Sequence, residues 1–311
     1  MLMKAITIST YGGPEVLQYK DVEIPTIKSD EILVRTHSAG VSPFDLHVRD
    51  GWYKESNYYT LPIILGWEIS GVVAETGKDI TKFKKGDEVF GYINGIRNGG
   101  AYAEYTVVKE NEVVHKPKSI THHQAAAASM NALTAWQAMF DIANLSAGQT
   151  ILIHAATGGI GHLAVQLAKW KGAYVIGTAS ARNKAFLLDL GADEVIDYTT
   201  TPFEKIAKNI DVVLDNIGGD TLLKSFSTLK KSGVVVTTID FEGIKAAEKF
   251  GVRGETVFVN PNPQQLTAIA ELLDKKILKP NIEKTFPLID AAKAQLHVQS
   301  GRTRGKVTLE I

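Results

Sequence analysis

The chain has 311 residues and a mass of 33.8 kDa, room for about two domains, and its 44% hydrophobic and 22% charged residues exclude a disordered polymer. Lys plus Arg and Asp plus Glu both count 34, so bulk charge argues against a nucleic-acid partner. No cysteine is present, which rules out disulfides, a thiolate nucleophile, thiolate zinc sites and iron–sulfur clusters and leaves a reducing cytoplasm as the default compartment.

Residues 4–10 and 31–36 alternate polar and apolar side chains, the pattern of half-buried strands. The N-terminus lacks the apolar block of a signal peptide. Tyr11-Gly12-Gly13-Pro14 has turn chemistry. Residues 68–75, 87–92 and 101–108 read as further strands, punctuated by Gly86-Asp87 and Gly99-Gly100. Short strands with frequent glycine turns fit a small barrel or a strongly bent sheet. The rhythm changes at Thr121. Residues 122–144 are alanine-rich and read as one or two helices. The uncharged run 124–140 within them is too polar and too short for the about 20 apolar residues of a membrane span.

A regular alternation follows. Strands are expected at 150–154, 173–178, 194–196, 210–215, 233–237 and 256–259, and helices at 160–171, 183–190, 202–208, 220–230 and 264–275. Continuous apolar strands between amphipathic helices predict a parallel sheet covered on both faces. From Pro280 the pattern turns β-like again and ends in Gly305-Lys306-Val307-Thr308-Leu309. The α/β series thus lies between two β-rich pieces. Residues 1–120 and 280–311 are expected to form one domain, with the α/β domain 121–279 inserted in it.

The strongest local signal is Ala156-Thr157-Gly158-Gly159-Ile160-Gly161. It follows a strand and opens a helix, and it matches GxGxxG with alanine in the first glycine position. Such a turn lets a pyrophosphate approach bare amides at a helix N-terminus, while its last glycine lets helix and strand pack closely. A triphosphate-binding loop is disfavoured, because no GxxxxGK[ST] occurs. About 20 residues further on, an NAD site carries an acid for the ribose 2′-hydroxyl. Here the segment reads Thr178-Ala179-Ser180-Ala181-Arg182-Asn183-Lys184, with no acid and two cations. Hydroxyl and guanidinium groups suit a 2′-phosphate, so NADP(H) is expected, with Ser180, Arg182 and Lys184 at the phosphate and residues 157–161 (Thr157, Gly158, Gly159, Ile160 and Gly161) at the pyrophosphate.

With these residues, the chain resembles the medium-chain dehydrogenase/reductase superfamily, and more closely its zinc-free, zeta-crystallin-like quinone oxidoreductase branch. The resemblance runs through Tyr11-Gly12-Gly13-Pro14-Glu15-Val16-Leu17, Gly40-Val41-Ser42-Pro43-Phe44-Asp45, Gly66-Trp67-Glu68-Ile69-Ser70-Gly71, Lys85-Gly86-Asp87-Glu88-Val89 and Asp215-Asn216-Ile217-Gly218-Gly219. It implies an α/β fold in which a Rossmann doubly wound parallel sheet is inserted in a GroES-like, β-rich catalytic domain, with the cofactor in the cleft. It also implies a homodimer formed through the edge strand 256–259. Zinc members place a cysteine where this chain has Ser42 and a histidine where it has Trp67, and they carry a four-cysteine lobe where residues 92–100 run here. No metal is therefore expected.

The same resemblance assigns cofactor contacts to Ser42, His47, Thr134, Tyr198, Asn216, Thr238, Ile239 and Lys306. Tyr198 matches a tyrosine at the adenosine 2′-phosphate, and Thr134, Asn216, Thr238 and Ile239 fall near the nicotinamide half. His47 sits where zinc alcohol dehydrogenases carry a relay histidine and reads here as a wall or ribose-contacting residue. Tyr53 is either a proton donor or a packed tyrosine that only shapes the pocket.

Reduction of a plain ketone localises charge on one oxygen, which zinc would stabilise. Hydride addition to a quinone or an α,β-unsaturated carbonyl leaves delocalised charge, for which positioning and a few donors suffice. The expectation is a zinc-independent, NADPH-dependent reductase of a small quinone or enone. Two alternatives stay open. One is an enoyl-thioester reductase, which would need a basic entry for its carrier phosphate. The other is a weakly catalytic NADPH-binding protein with a binding role.

Overall fold

The computed structural model describes every residue except Asn57 and Ile96. The chain divides into two compact units. One comprises residues 1–130, 260–276 and 280–311, the other residues 131–259 and 277–279.

The second unit holds a six-stranded parallel sheet. Its spatial order is Glu194–Asp197, Tyr174–Ala179, Thr150–Ile153, Ile210–Asp215, Leu229–Thr237 and Arg253–Thr256. The first strand in the chain is thus central, and the sheet grows away from it in both directions. That reversal makes the carboxyl end of Thr150–Ile153 a topological switch point, where α/β sheets open a crevice for ligands. The strands are apolar because they are buried: Ile151, Leu152, Ile153, Val213, Leu214 and Val235 have no exposed surface. The helix Gly161–Trp170 follows the glycine turn and packs on the strands at 150–153 and 174–179.

The edge strand is Arg253–Thr256, so it starts and stops earlier than the alternation at 256–259 suggested. Its length is set by its neighbour. Val234 to Thr237 pair with Arg253 to Thr256, and the neighbouring strand ends at Thr237. The helix expected over 220–230 is likewise cut short. It covers Gly219–Ser225, continues as a 3-10 turn through Phe226–Thr228, and gives way to a strand at Leu229.

The first unit is built on a bent, mostly antiparallel sheet. Its central strand Glu31–Val41 carries two register irregularities, between Leu33/Val34 and Thr36/Ser38. Such bulges bend and twist a strand. Glu31–Val41 pairs with Glu68–Thr76, with Tyr105–Lys109 and with the last strand, Lys306–Glu310. The pairing of Val307 with Val41 brings the C-terminal tail onto the N-terminal piece. A second sheet has three strands, Gln18–Glu23, Leu2–Ile8 and Ile63–Ile64. The helix Pro263–Asp274 groups with this unit, where it packs on Val113–His115. Two helices interrupt the β-rich pieces where the sequence reading saw none, Pro43–Arg49 and Ala291–Gln299. The first has a readable signal: Ser42 caps it, Pro43 opens it and Asp45 closes a capping box. No helix among the described residues is long and apolar enough to cross a membrane.

Candidate functional site

The glycine turn is held from three sides. Ala155 has φ +47°, a left-handed conformation that redirects the chain as it leaves the strand. The Gly158 amide donates to the Ala155 carbonyl at 2.9 Å, and the Ala156 amide donates to Thr178 at 3.2 Å. His162, fully buried, donates from Nδ1 to the Gly158 carbonyl at 2.8 Å. A carbonyl only accepts, so this bond places the proton on Nδ1. His162 is a site-shaping residue that sequence reasoning missed. Its signal was a histidine one residue beyond the last glycine of the fingerprint.

The three glycines do different work. A Cβ on Gly161 would stand 2.3 Å from the Ala155 oxygen and 2.7 Å from the Ala156 Cα, so only glycine lets this helix meet the strand. A Cβ on Gly159 would meet nothing closer than Asn131 Oδ1 at 3.4 Å, an ordinary contact. On Gly158 the nearest atom would be the Ala155 oxygen at 3.3 Å. Neither has positive φ. Internal packing does not demand glycine at 159, and what a side chain there would occupy is the approach to bare amides. The turn therefore fits a pyrophosphate. Thr157 and Ile160 are half-buried within the same turn.

Further along the same sheet edge, Ser180 is half-buried and Arg182 and Lys184 are exposed. The next strand ends at Asp197, followed by Tyr198, 61% exposed. On the other side of the central strand, Asn216 donates from Nδ2 to the His154 carbonyl at 2.9 Å, and its Oδ1 accepts from Thr238 Oγ1 at 3.2 Å. Asn216 thus ties together the ends of three strands. Buried Asp215 shapes the turn after it, accepting from the amides of Ile217 at 3.2 Å and Gly218 at 3.1 Å and from Thr237 Oγ1 at 2.7 Å. Burial pushes its carboxyl above the usual range, and these donors pull it back. Ile239 and Ile217 lie exposed beside this turn. Thr134 is buried in the helix His122–Trp136.

In the other unit, the residues expected to serve the cofactor are engaged by the protein. Ser42 is 3% exposed and donates from Oγ to Asp45 Oδ2 at 2.6 Å, which also accepts from the Ser42 amide at 2.7 Å. Lys306 is equally buried, and its ammonium donates to Glu68 Oε1 at 2.8 Å. Burial pushes the Glu68 carboxyl up to about 7 against the pull of Lys306. Its other oxygen lies over Gly40, where a Cβ would stand 1.8 Å from it. Trp67 is 1% exposed and donates from its indole to the Arg97 carbonyl at 2.8 Å.

His47 stacks face to face on exposed Trp52, with ring centroids 3.8 Å apart, and burial lowers its pKa. Tyr53 is half-buried, 5.8 Å from the Phe44 ring and 6.2 Å from the Tyr59 ring. Burial raises its pKa, so its hydroxyl keeps the proton at neutral pH. Phe44, Tyr53, Tyr59 and Trp67 form one aromatic cluster.

These commitments bear on zinc. The Ser42 hydroxyl is spent on Asp45, Trp67 offers no lone pair, and Glu68 already holds an ammonium ion. The positions that hold zinc in the resembled superfamily do not form a ligand set here. Among the described residues, no group of three or more His, Asp or Glu side chains could hold a metal ion.

A sequence profile described as an alcohol dehydrogenase GroES-like domain matches residues 28–118, and one described as a zinc-binding dehydrogenase matches residues 190–309. The chain is 34% identical to the mitochondrial NAD(P)H oxidoreductase RTN4IP1 of Mus musculus, over 100% of this chain and 89% of that protein. The structure of a quinone oxidoreductase from Coxiella burnetii superposes with a TM-score of 0.94 at 33% identity, covering 100% of both chains. The Escherichia coli quinone oxidoreductase complexed with NADPH superposes with a TM-score of 0.87 at 27% identity, covering 99% of this chain and 100% of that one.

Proposed function

The chain belongs to the medium-chain dehydrogenase/reductase superfamily, in its quinone-oxidoreductase-like branch, and on that premise we propose that it reduces a quinone or an α,β-unsaturated carbonyl with NADPH and without zinc. Membership makes it an NAD(P)H-dependent oxidoreductase. The fold is the expected pair of a Rossmann-like parallel sheet and a separate GroES-like sheet.

A bound nicotinamide cofactor supplies a hydride. The protein's own part begins at Gly159, where a pyrophosphate meets a backbone amide at the start of the helix Gly161–Trp170. Ser180, Arg182, Lys184 and Tyr198 select the 2′-phosphate, because no carboxylate stands among residues 180–184 to repel it. Asn216, Thr238 and Ile239 border the nicotinamide half. Tyr53, protonated at neutral pH, is the candidate donor to the enolate or hydroquinone anion, in competition with water.

The observation that carries the acceptor class is the state of Ser42, Trp67 and Glu68. All three are bound to protein partners, which supports a site without a Lewis acid, and delocalised anions need none. A homodimer and a reducing, cytoplasmic compartment belong to the same proposal, and sedimentation tests the first. The central test is NADPH oxidation measured against quinones, 2-alkenals and plain ketones. Turnover of the conjugated acceptors, unaffected by chelators, is expected. Zinc-dependent turnover of plain alcohols with no activity on conjugated acceptors would overturn the reading.

A further inference from the structure

Asp197 ends the strand Glu194–Asp197, directly beside Ala179 in the parallel pairing. It makes no ion pair among the described residues. Its Oδ1 accepts instead from the Thr199 amide at 3.0 Å and from Thr199 Oγ1 at 2.7 Å. These two bonds from Thr199 hold the acid below its ordinary range. The main-chain oxygen of Asp197 accepts from the amide of Thr201 at 3.0 Å, and the Tyr198 amide donates to the Ala179 carbonyl at 3.3 Å. Asp197 therefore closes the turn 197–201, and the Tyr198 amide ties that turn to Ala179, just before the neighbouring turn 180–184. Those turns carry Ser180, Arg182 and Tyr198.

The charge of Asp197 is at odds with its surroundings. A carboxylate beside a phosphate site repels the ligand. Its hydrogen-bonding role explains its place there: a short acceptor that captures amides two residues on is what fixes such turns.

We propose that Asp197 is a positioning residue for 2′-phosphate recognition, which fixes the turn 197–201 through Thr199 so that Tyr198 is presented beside Ser180 and Arg182. The inference rests on the NADPH reading above. It assigns the contribution of Asp197 to its acceptor geometry, with its charge acting against binding.

The test uses two probes that differ only in the 2′-phosphate, adenosine 2′,5′-bisphosphate and adenosine 5′-monophosphate. Both are titrated calorimetrically into the wild-type chain, Asp197→Ala and Asp197→Asn, with thermal unfolding recorded for each. Asp197→Ala is expected to weaken the bisphosphate about fivefold, the scale of one hydrogen-bonded anchor, and to leave the monophosphate unchanged. Asp197→Asn keeps an acceptor and loses the charge, so it is expected to bind the bisphosphate at least as tightly as wild type. KM for NADPH should follow the same order while kcat stays constant. Equal weakening of both probes in Asp197→Ala, no weakening of either, or an Asp197→Asn variant as weak as Asp197→Ala would overturn the inference. A wild-type chain that does not distinguish the two probes would remove the NADPH reading itself, and the inference with it.

Discussion

Gly161 and Gly159 lie two residues apart in one turn, and the structure predicts opposite consequences for the same substitution. In Gly161→Ala the new Cβ meets the Ala155 oxygen at 2.3 Å and backbone atoms of Ala156 at 2.7 and 2.8 Å. None of these is the end of a flexible side chain, so the helix Gly161–Trp170 must move off the sheet. Overpacking of this kind costs about 1–3 kcal/mol. At roughly 2–4 °C per kcal/mol for a chain of this size, the unfolding midpoint should fall by about 2–12 °C. In Gly159→Ala the nearest atom is 3.4 Å away, so the midpoint should stay within about 1–2 °C of wild type, the scale of a harmless surface change. NADPH binding should be lost in both. Differential scanning calorimetry reads the first effect and quenching of protein fluorescence by NADPH the second. A Gly161→Ala chain as stable as wild type would refute the packing argument. A Gly159→Ala chain that binds NADPH normally would refute the cradle.

Three further outcomes follow from the buried titratable groups and from Tyr53. Burial holds His154 at about 4, below its ordinary 6.5, between Thr178 and Ser225. The unfolded chain then binds a proton that the folded chain refuses. His154 should therefore contribute stability in full above pH 6.5 and lose about 3 kcal/mol of it as the pH falls to 4. Denaturant unfolding of wild type and His154→Gln should show their stability difference shrinking over that window, and a constant difference would refute the assignment. Lys306→Met strands the Glu68 carboxylate in the core, a loss of about 3–5 kcal/mol for a broken buried pair. Because Glu68 takes a proton near pH 7, thermal unfolding should show a larger loss at pH 8 than at pH 5.5; equal losses would mean the pair is not ionised. Tyr53→Phe should lower kcat with an enone at least about 100-fold if the hydroxyl donates the proton. An unchanged kcat would leave Tyr53 as a wall of the aromatic cluster.

The αβ alternation was legible because each strand is continuously apolar and each helix amphipathic, and both patterns are local. The fingerprint at 156–161 was legible for the same reason, since its demand for glycine arises within six residues. Strand ends were not legible. Arg253–Thr256 stops where its partner stops, and nothing in residues 256–259 records where that is. The helix Pro43–Arg49 had its signal in Ser42, Pro43 and Asp45, yet Ser42 inside a family motif read as a cofactor contact before it read as a cap.

By itself the sequence determined the parallel sheet, the glycine turn between strand and helix, the absence of an acid at residues 180–184 and the absence of thiolates. Each of these is a property of residue type over a short span. Tertiary structure decided what the polar side chains are free to do. Lys306 answers to Glu68, 238 residues away, and Asn216 to the carbonyl of His154, 62 residues away. Ser42 is spent on Asp45, which lies wholly in the core. A buried polar atom must find a partner, and which partner it finds depends on the folded neighbourhood rather than on the neighbouring letters.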